Sequence, residues 1–68
     1  MVDSNTRDDE SLLNESETAK FLAVSVRTLQ AWRTRESGPP FVRLGRAIRY
    51  RLKDLIEWVR SKTCLPKI

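Results

Sequence analysis

Only Ala23, Val24 and Ser25 separate a helical pattern that ends near Leu22 from a second one that begins at Val26. Nothing else in the chain constrains the fold as much. Two helices joined by so few residues cannot lie antiparallel, so they must cross at a steep angle. Ser25 suits the start of the second helix, because its hydroxyl can accept a hydrogen bond from an unpaired backbone amide of the first turn. Winding that helix at about 100° per residue puts Val26, Leu29 and Trp32 on one side. Arg27, Gln30, Ala31 and Thr34 spread over the other.

The first helix has an opening signal of its own. Asn14 can cap it, and Glu17, three residues on, can reach back to the cap amide in a capping box, with Leu13 as the apolar residue before the cap. Ala19, Phe21 and Leu22 supply a short inward face, and Val24 is placed to plug the angle between the helices. This is helix-turn-helix geometry. The turn contains no glycine, so either one of its residues is strained or the turn is a variant.

Ser37-Gly38-Pro39-Pro40 ends the second helix, with Gly38 able to take a left-handed cap and the prolines unable to continue. Phe41 to Tyr50 then reads as two short strands. A three-residue loop from Leu44 to Arg46 would set Val42 opposite Ile48 on the inner face, with Arg43 and Arg49 outward and Arg46 at the tip. From Arg51 to Lys62 the period is helical again, with Leu52, Leu55, Ile56 and Val59 on one face and Trp58 at its margin. Both tryptophans sit at helical spacing beside aliphatics, which suits core positions better than platforms for stacking bases. The expected fold is mainly α with a small β-hairpin, a winged helix-turn-helix in the order α-turn-α-β-β-α. Its boundaries are a flexible acidic arm over 1–11, the domain over 12–62 and a flexible tail over 63–68.

Sixty-eight residues allow one small domain. One cysteine, Cys64, and no histidine exclude an internal disulfide and the usual zinc sets, and they remove the commonest general base. No enzyme activity, metal or cofactor is expected. With no long apolar run and no signal-like start, a cytoplasmic protein without a membrane partner is expected.

The net charge of +4 is unevenly spread: residues 1–11 sum to −3, residues 12–36 to +1 and residues 37–68 to +6. A basic patch beside an exposed helix face suits a polyanion, although it also suits a merely solvated surface. The helix face has the chemistry of a major-groove reader: Arg grips guanine, Gln grips adenine, and Ala or the Thr methyl meets the thymine methyl. The same face could equally be the wet side of an ordinary amphipathic helix. Exposed hairpin arginines could likewise be edge-strand protection.

Taken together, Leu12-Leu13-Asn14-Glu15-Ser16-Glu17-Thr18-Ala19, Leu22 to Leu29, Val42 to Tyr50 and Asp54-Leu55-Ile56-Glu57-Trp58 resemble the small MerR-like DNA-binding domains of the excisionase and AlpA families of phages and integrative elements. The resemblance covers Leu13 to Arg60, and Ala23 departs from it where a glycine is common. It implies double-stranded DNA as partner, with Arg27, Thr28, Gln30, Ala31 and Thr34, beside the cap Ser25, in the major groove. Arg33 and Arg35 would meet flanking phosphates, and Arg43, Arg46 and Arg49 would form the wing contact. It further implies a monomer in solution that self-associates cooperatively on DNA and acts beside an integrase as an excisionase. An AlpA-like transcriptional regulator is the alternative, and a module docking a recombinase through its third helix is a further one.

Overall fold

The first helix opens as its local signals require. In the computed structural model, which describes residues 11–64, α1 spans Glu15–Leu22. Glu17 N–H donates to Asn14 Oδ1 and Asn14 N–H donates to Glu17 Oε1, both at 2.8 Å, so the capping box is complete. Helix α2, Val26–Thr34, is capped by Ser25, whose Oγ accepts from Thr28 N–H at 3.0 Å.

Between them, Ala23 takes the left-handed conformation at φ 58° and ψ 41°. Its N–H donates to Lys20 O at 3.1 Å and that of Val24 donates to Ala19 O at 2.9 Å. This pair of bonds is a Schellman motif, and Val24 and Ala19 supply its customary apolar contact within the core cluster. The strain expected of a turn without glycine therefore sits at Ala23. Helix α2 ends the same way. Glu36, at φ 58°, donates to Arg33 O at 3.1 Å, and Ser37 donates to Trp32 O at 2.8 Å. The left-handed cap is thus Glu36, not Gly38 as the sequence suggested. Gly38 has its own reason: at φ +84°, a Cβ there would lie 2.9 Å from Trp32 Cβ.

Three strands follow from pairings that the sequence only partly exposes. They are β1 (Leu12–Leu13), β2 (Val42–Leu44) and β3 (Ala47–Arg51), antiparallel in the order β1-β3-β2. Strand β1 is not legible in the sequence, because two residues show no alternation. Leu12 lies opposite Arg51 and Leu13 opposite Tyr50. The hairpin turn consists of Gly45 and Arg46, two residues rather than the expected three, with Leu44 opposite Ala47. Gly45 at φ 62° with no positive φ at Arg46 has the signature of a type II′ turn.

Pairing is therefore displaced by one residue from the expected register: Val42 opposes Arg49 and Arg43 opposes Ile48. Opposed residues share a face. Arg43 thus lies on the side of Ile48 and Tyr50, while Arg49 lies with Val42 on the other, so the two arginines do not share an outer face. The physical reason is Phe41. It precedes Val42 by one residue, packs on the core and places its ring centroid 6.1 Å from that of Tyr50. Burying the larger apolar surface decides the face.

Helix α3, Leu52–Ser61, starts directly from β3, and Leu52 N–H donates to Ser11 O at 2.9 Å. The core is Ala19, Leu29, Tyr50 and Leu55, with Leu13, Leu22, Val24, Val26, Trp32, Phe41 and Ile48 packed around it. Thr18 is buried as well, and its hydroxyl donates to Asn14 O at 2.8 Å. The tryptophans pair with centroids 5.5 Å apart, half-buried between α2 and α3. Two expected core residues are exposed instead, Phe21 at 48% and Val59 at 41%. Both line one open groove between α1 and α3, together with Leu22, Ile56 and Arg60, which the two helices do not close. Together these elements form a winged helix-turn-helix. The expectations for residues 1–10 and 65–68 lie outside the described residues, whereas Ser11, assigned to the arm, is tied to α3 by its carbonyl.

A left-handed non-glycine residue costs about 1–2 kcal/mol, and glycine's extra chain entropy returns about 0.5–1 of it. Ala23→Gly and Glu36→Gly should each raise stability by about 0.5–1 kcal/mol, or roughly 3–6 °C in thermal midpoint. Gly38→Ala should lower it. Thermal unfolding of the three variants checks this; a fall with Ala23→Gly would mean that the Ala23 methyl contributes more than the strain costs.

Candidate nucleic-acid interface

Helix α2 presents the residues that the sequence singled out, but their side chains are not equally available. Arg27, Gln30, Thr34 and Arg35 are exposed, while Thr28, Ala31 and Arg33 are half-buried. Ser25 and Thr28 share a hydroxyl hydrogen bond of 2.9 Å at the cap, and Thr34 Oγ1 donates back to Gln30 O at 3.0 Å. These hydroxyls serve the helix first. Among the described residues, the guanidinium groups of Arg27 and Arg35 have no ion-pair or hydrogen-bond partner.

Arg33 is different. Its Nη1 lies 2.8 Å from Glu15 Oε2 and donates to Tyr50 Oη at 3.1 Å. The cation also sits 5.8 Å from the centroid of the Phe41 ring. Partial burial opposes the charge, but the hydrogen bonds to Tyr50 and Glu15, with their electrostatic attraction, outweigh it and hold the Arg33 pKa above its ordinary value. Arg33 thus stays charged and ties α2 to both α1 and β3. The sequence could not show this, because Glu15 and Arg33 lie far outside the short spacings at which helical neighbours meet.

The wing arginines also divide. Arg46 is exposed at the turn. Arg43 places its guanidinium 5.7 Å from the Phe41 ring centroid, and Arg49 Nη1 donates to Ile48 O at 2.8 Å. The sheet brings all three to one hairpin, next to the C-terminal half of α2 through Arg33, Tyr50 and Phe41. What results is a cationic surface built of an exposed helix face and a basic turn, with amide, hydroxyl and methyl groups on the helix. Such a surface can meet phosphates and base edges together. No helix among the described residues is long and apolar enough to cross a membrane.

Residues 12–63 match a family model described as a helix-turn-helix domain, from β1 to just beyond α3. No curated protein matches the chain.

Removing Arg33 would leave a carboxylate oxygen of Glu15 closed to solvent without its cation. Both side chains keep some exposure, 21% for Arg33 and 27% for Glu15, so the full cost of a buried charge is not expected. Arg33→Met should destabilise the domain by about 1–3 kcal/mol, whereas Arg35→Ala should stay within about 0.5 kcal/mol of the parent. Urea unfolding measures both. Equal losses would show that the Glu15–Arg33–Tyr50 tie does not hold α2 in place.

Proposed function

The chain belongs to the helix-turn-helix domain family, and on that premise we propose that it reads double-stranded DNA with α2 in the major groove and the β2–β3 turn against an adjacent minor groove or its backbone. It does so as an excisionase, a recombination directionality factor of a phage or integrative element. The observation that carries the groove assignment is the exposed face of α2, where Arg27 is unpaired among the described residues and Gln30 stands one turn further on. Arg27, Thr28, Gln30, Ala31 and Thr34 are the groove set, with Ser25 at its entrance. Arg35 meets a flanking phosphate, and Arg43, Arg46 and Arg49 form the wing contact. Arg33 is assigned first to holding α2, because Glu15 and Tyr50 already engage it.

The excisionase reading is supported by the resemblance of Leu13 to Arg60 to the excisionase and AlpA group. In that role the protein is a monomer in solution whose copies bind neighbouring sites beside an integrase and bend the DNA. Bending a short site costs on the order of 1–6 kcal/mol, which several adjacent copies can share. An AlpA-like regulator of the element's promoters uses the same surface and is the alternative. DNA bending with altered excision in the presence of integrase favours the first, and a change in promoter output without integrase favours the second.

A gel-shift titration on DNA flanking the protein's own gene and any nearby integrase tests the groove assignment. Laddered, salt-sensitive shifts are expected. Arg27→Ala should cost about 1–3 kcal/mol of specific binding, and Arg46→Ala should weaken all sequences alike while lowering the salt slope by about 1. Shifts that ignore both sequence and Arg27→Ala would remove α2 from the groove.

A further inference from the structure

Glu15 belongs to α1, yet it touches α2 at two points. Its Oε2 lies 2.8 Å from Arg33 Nη1, and its Oε1 accepts from Gln30 Nε2 at 3.3 Å. The carboxylate is itself well placed: it opens α1 immediately after the Asn14 capping box, and its Oε2 is closed to solvent. Arg33 fixes one oxygen, so the other is presented to Gln30 from a defined position.

A carboxylate offers acceptors only, so the amide of Gln30 must turn its nitrogen towards Glu15. That orientation leaves Gln30 Oε1 as a free acceptor, with one N–H remaining beside it. In the major groove adenine shows the matching pair, an N6–H donor and an N7 acceptor, whereas guanine shows acceptors at both O6 and N7, and thymine shows O4 and a methyl group. A glutamine held in one orientation also loses less side-chain freedom when it binds.

We infer that Glu15 is a positioning residue for base recognition, which holds the Gln30 amide from outside the reading helix and so sets its preference for adenine. The inference rests on the reading of α2 as the major-groove helix. Glu15 itself does not touch DNA. Its effect is confined to the base pair that Gln30 meets.

The test is selection of bound duplexes from a randomised DNA library by the full chain and by Glu15→Gln and Gln30→Ala, with base preferences and salt slopes measured on the selected sites. The wild type should prefer adenine at one position by roughly tenfold or more, and Gln30→Ala should erase that preference there alone. Glu15→Gln keeps the shape but adds donors, which lets the Gln30 amide flip. It should lower the adenine preference at the same position by at least about fivefold while the base preferences at other positions hold; the salt slope can rise, because losing the Glu15 charge also releases Arg33.

A merely structural role for Glu15 would weaken every position alike, and that outcome overturns the inference. So does an adenine preference that Gln30→Ala removes and Glu15→Gln leaves intact, or a wild-type preference for guanine, thymine or cytosine at that position. Wild-type binding with no base preference anywhere would instead overturn the major-groove reading, and the inference with it. The wild-type chain supplies a check that needs no variant to fold: the side-chain amide resonances of Gln30 should be displaced from those of a free glutamine. Free-glutamine behaviour would overturn the hold by Glu15.

Discussion

The left-handed backbone of Ala23 is the constraint on which the remaining geometry depends. It turns the chain within three residues, and the N–H groups of Ala23 and Val24 return to the last carbonyls of α1 rather than to water. Ser25 then caps α2 at once. With no slack in the connection, the crossing of α1 and α2 is settled locally, and the inner face of α2, Val26, Leu29 and Trp32, points into a corner that two helices cannot close. The sheet and α3 close it. A conformational cost of about 1–2 kcal/mol at one alanine is held in place by those bonds and by Val24 packing on the core.

Tyr50 is where the closing elements meet. It is 1% exposed, pairs with Leu13 across β1 and β3, lies beside Phe41 and accepts a hydrogen bond from Arg33. A phenol can fill a core and still offer its hydroxyl at the margin, which suits a position beneath a charged side chain. Helix α2 is therefore not carried by its apolar face alone. Arg33 joins it to the sheet through Tyr50 and to α1 through Glu15, so its angle to the wing is fixed from both sides.

The parts of this arrangement that were legible in the sequence are those written within a few residues. Asn14 with Glu17 and Ser25 with Thr28 are pairs three apart, and the caps they form depend on nothing distant. The order of elements, the alternation of faces on α2 and the inward bias of the tryptophans follow from periodicity. The hairpin register does not. A turn of two residues and one of three both bury an aliphatic pair, and the choice falls to Phe41 and Tyr50, whose contact lies outside the run of strand residues. Strand β1 was hidden because two leucines before a helix cap read as readily as a staple. Glu15, Gln30 and Arg33 each look like surface residues in their own helix, and only the crossing of α1 with α2 makes them one cluster.

That cluster bears on how cationic surfaces of this kind should be read. Counting arginines gives six on α2, its C-cap and the wing, but a guanidinium already engaged by protein must exchange that contact for a phosphate, while a free one exchanges only water. Arg33 is held by Glu15 and Tyr50, Arg49 by a backbone carbonyl, and Arg43 lies against Phe41. Arg27, Arg35 and Arg46 have no such tie among the described residues. The free cations mark the first turn of α2, its C-cap and the tip of the wing. Free cations of this kind suit phosphates, and Gln30, between the first two in sequence, is the polar side chain that the cluster engages through Glu15.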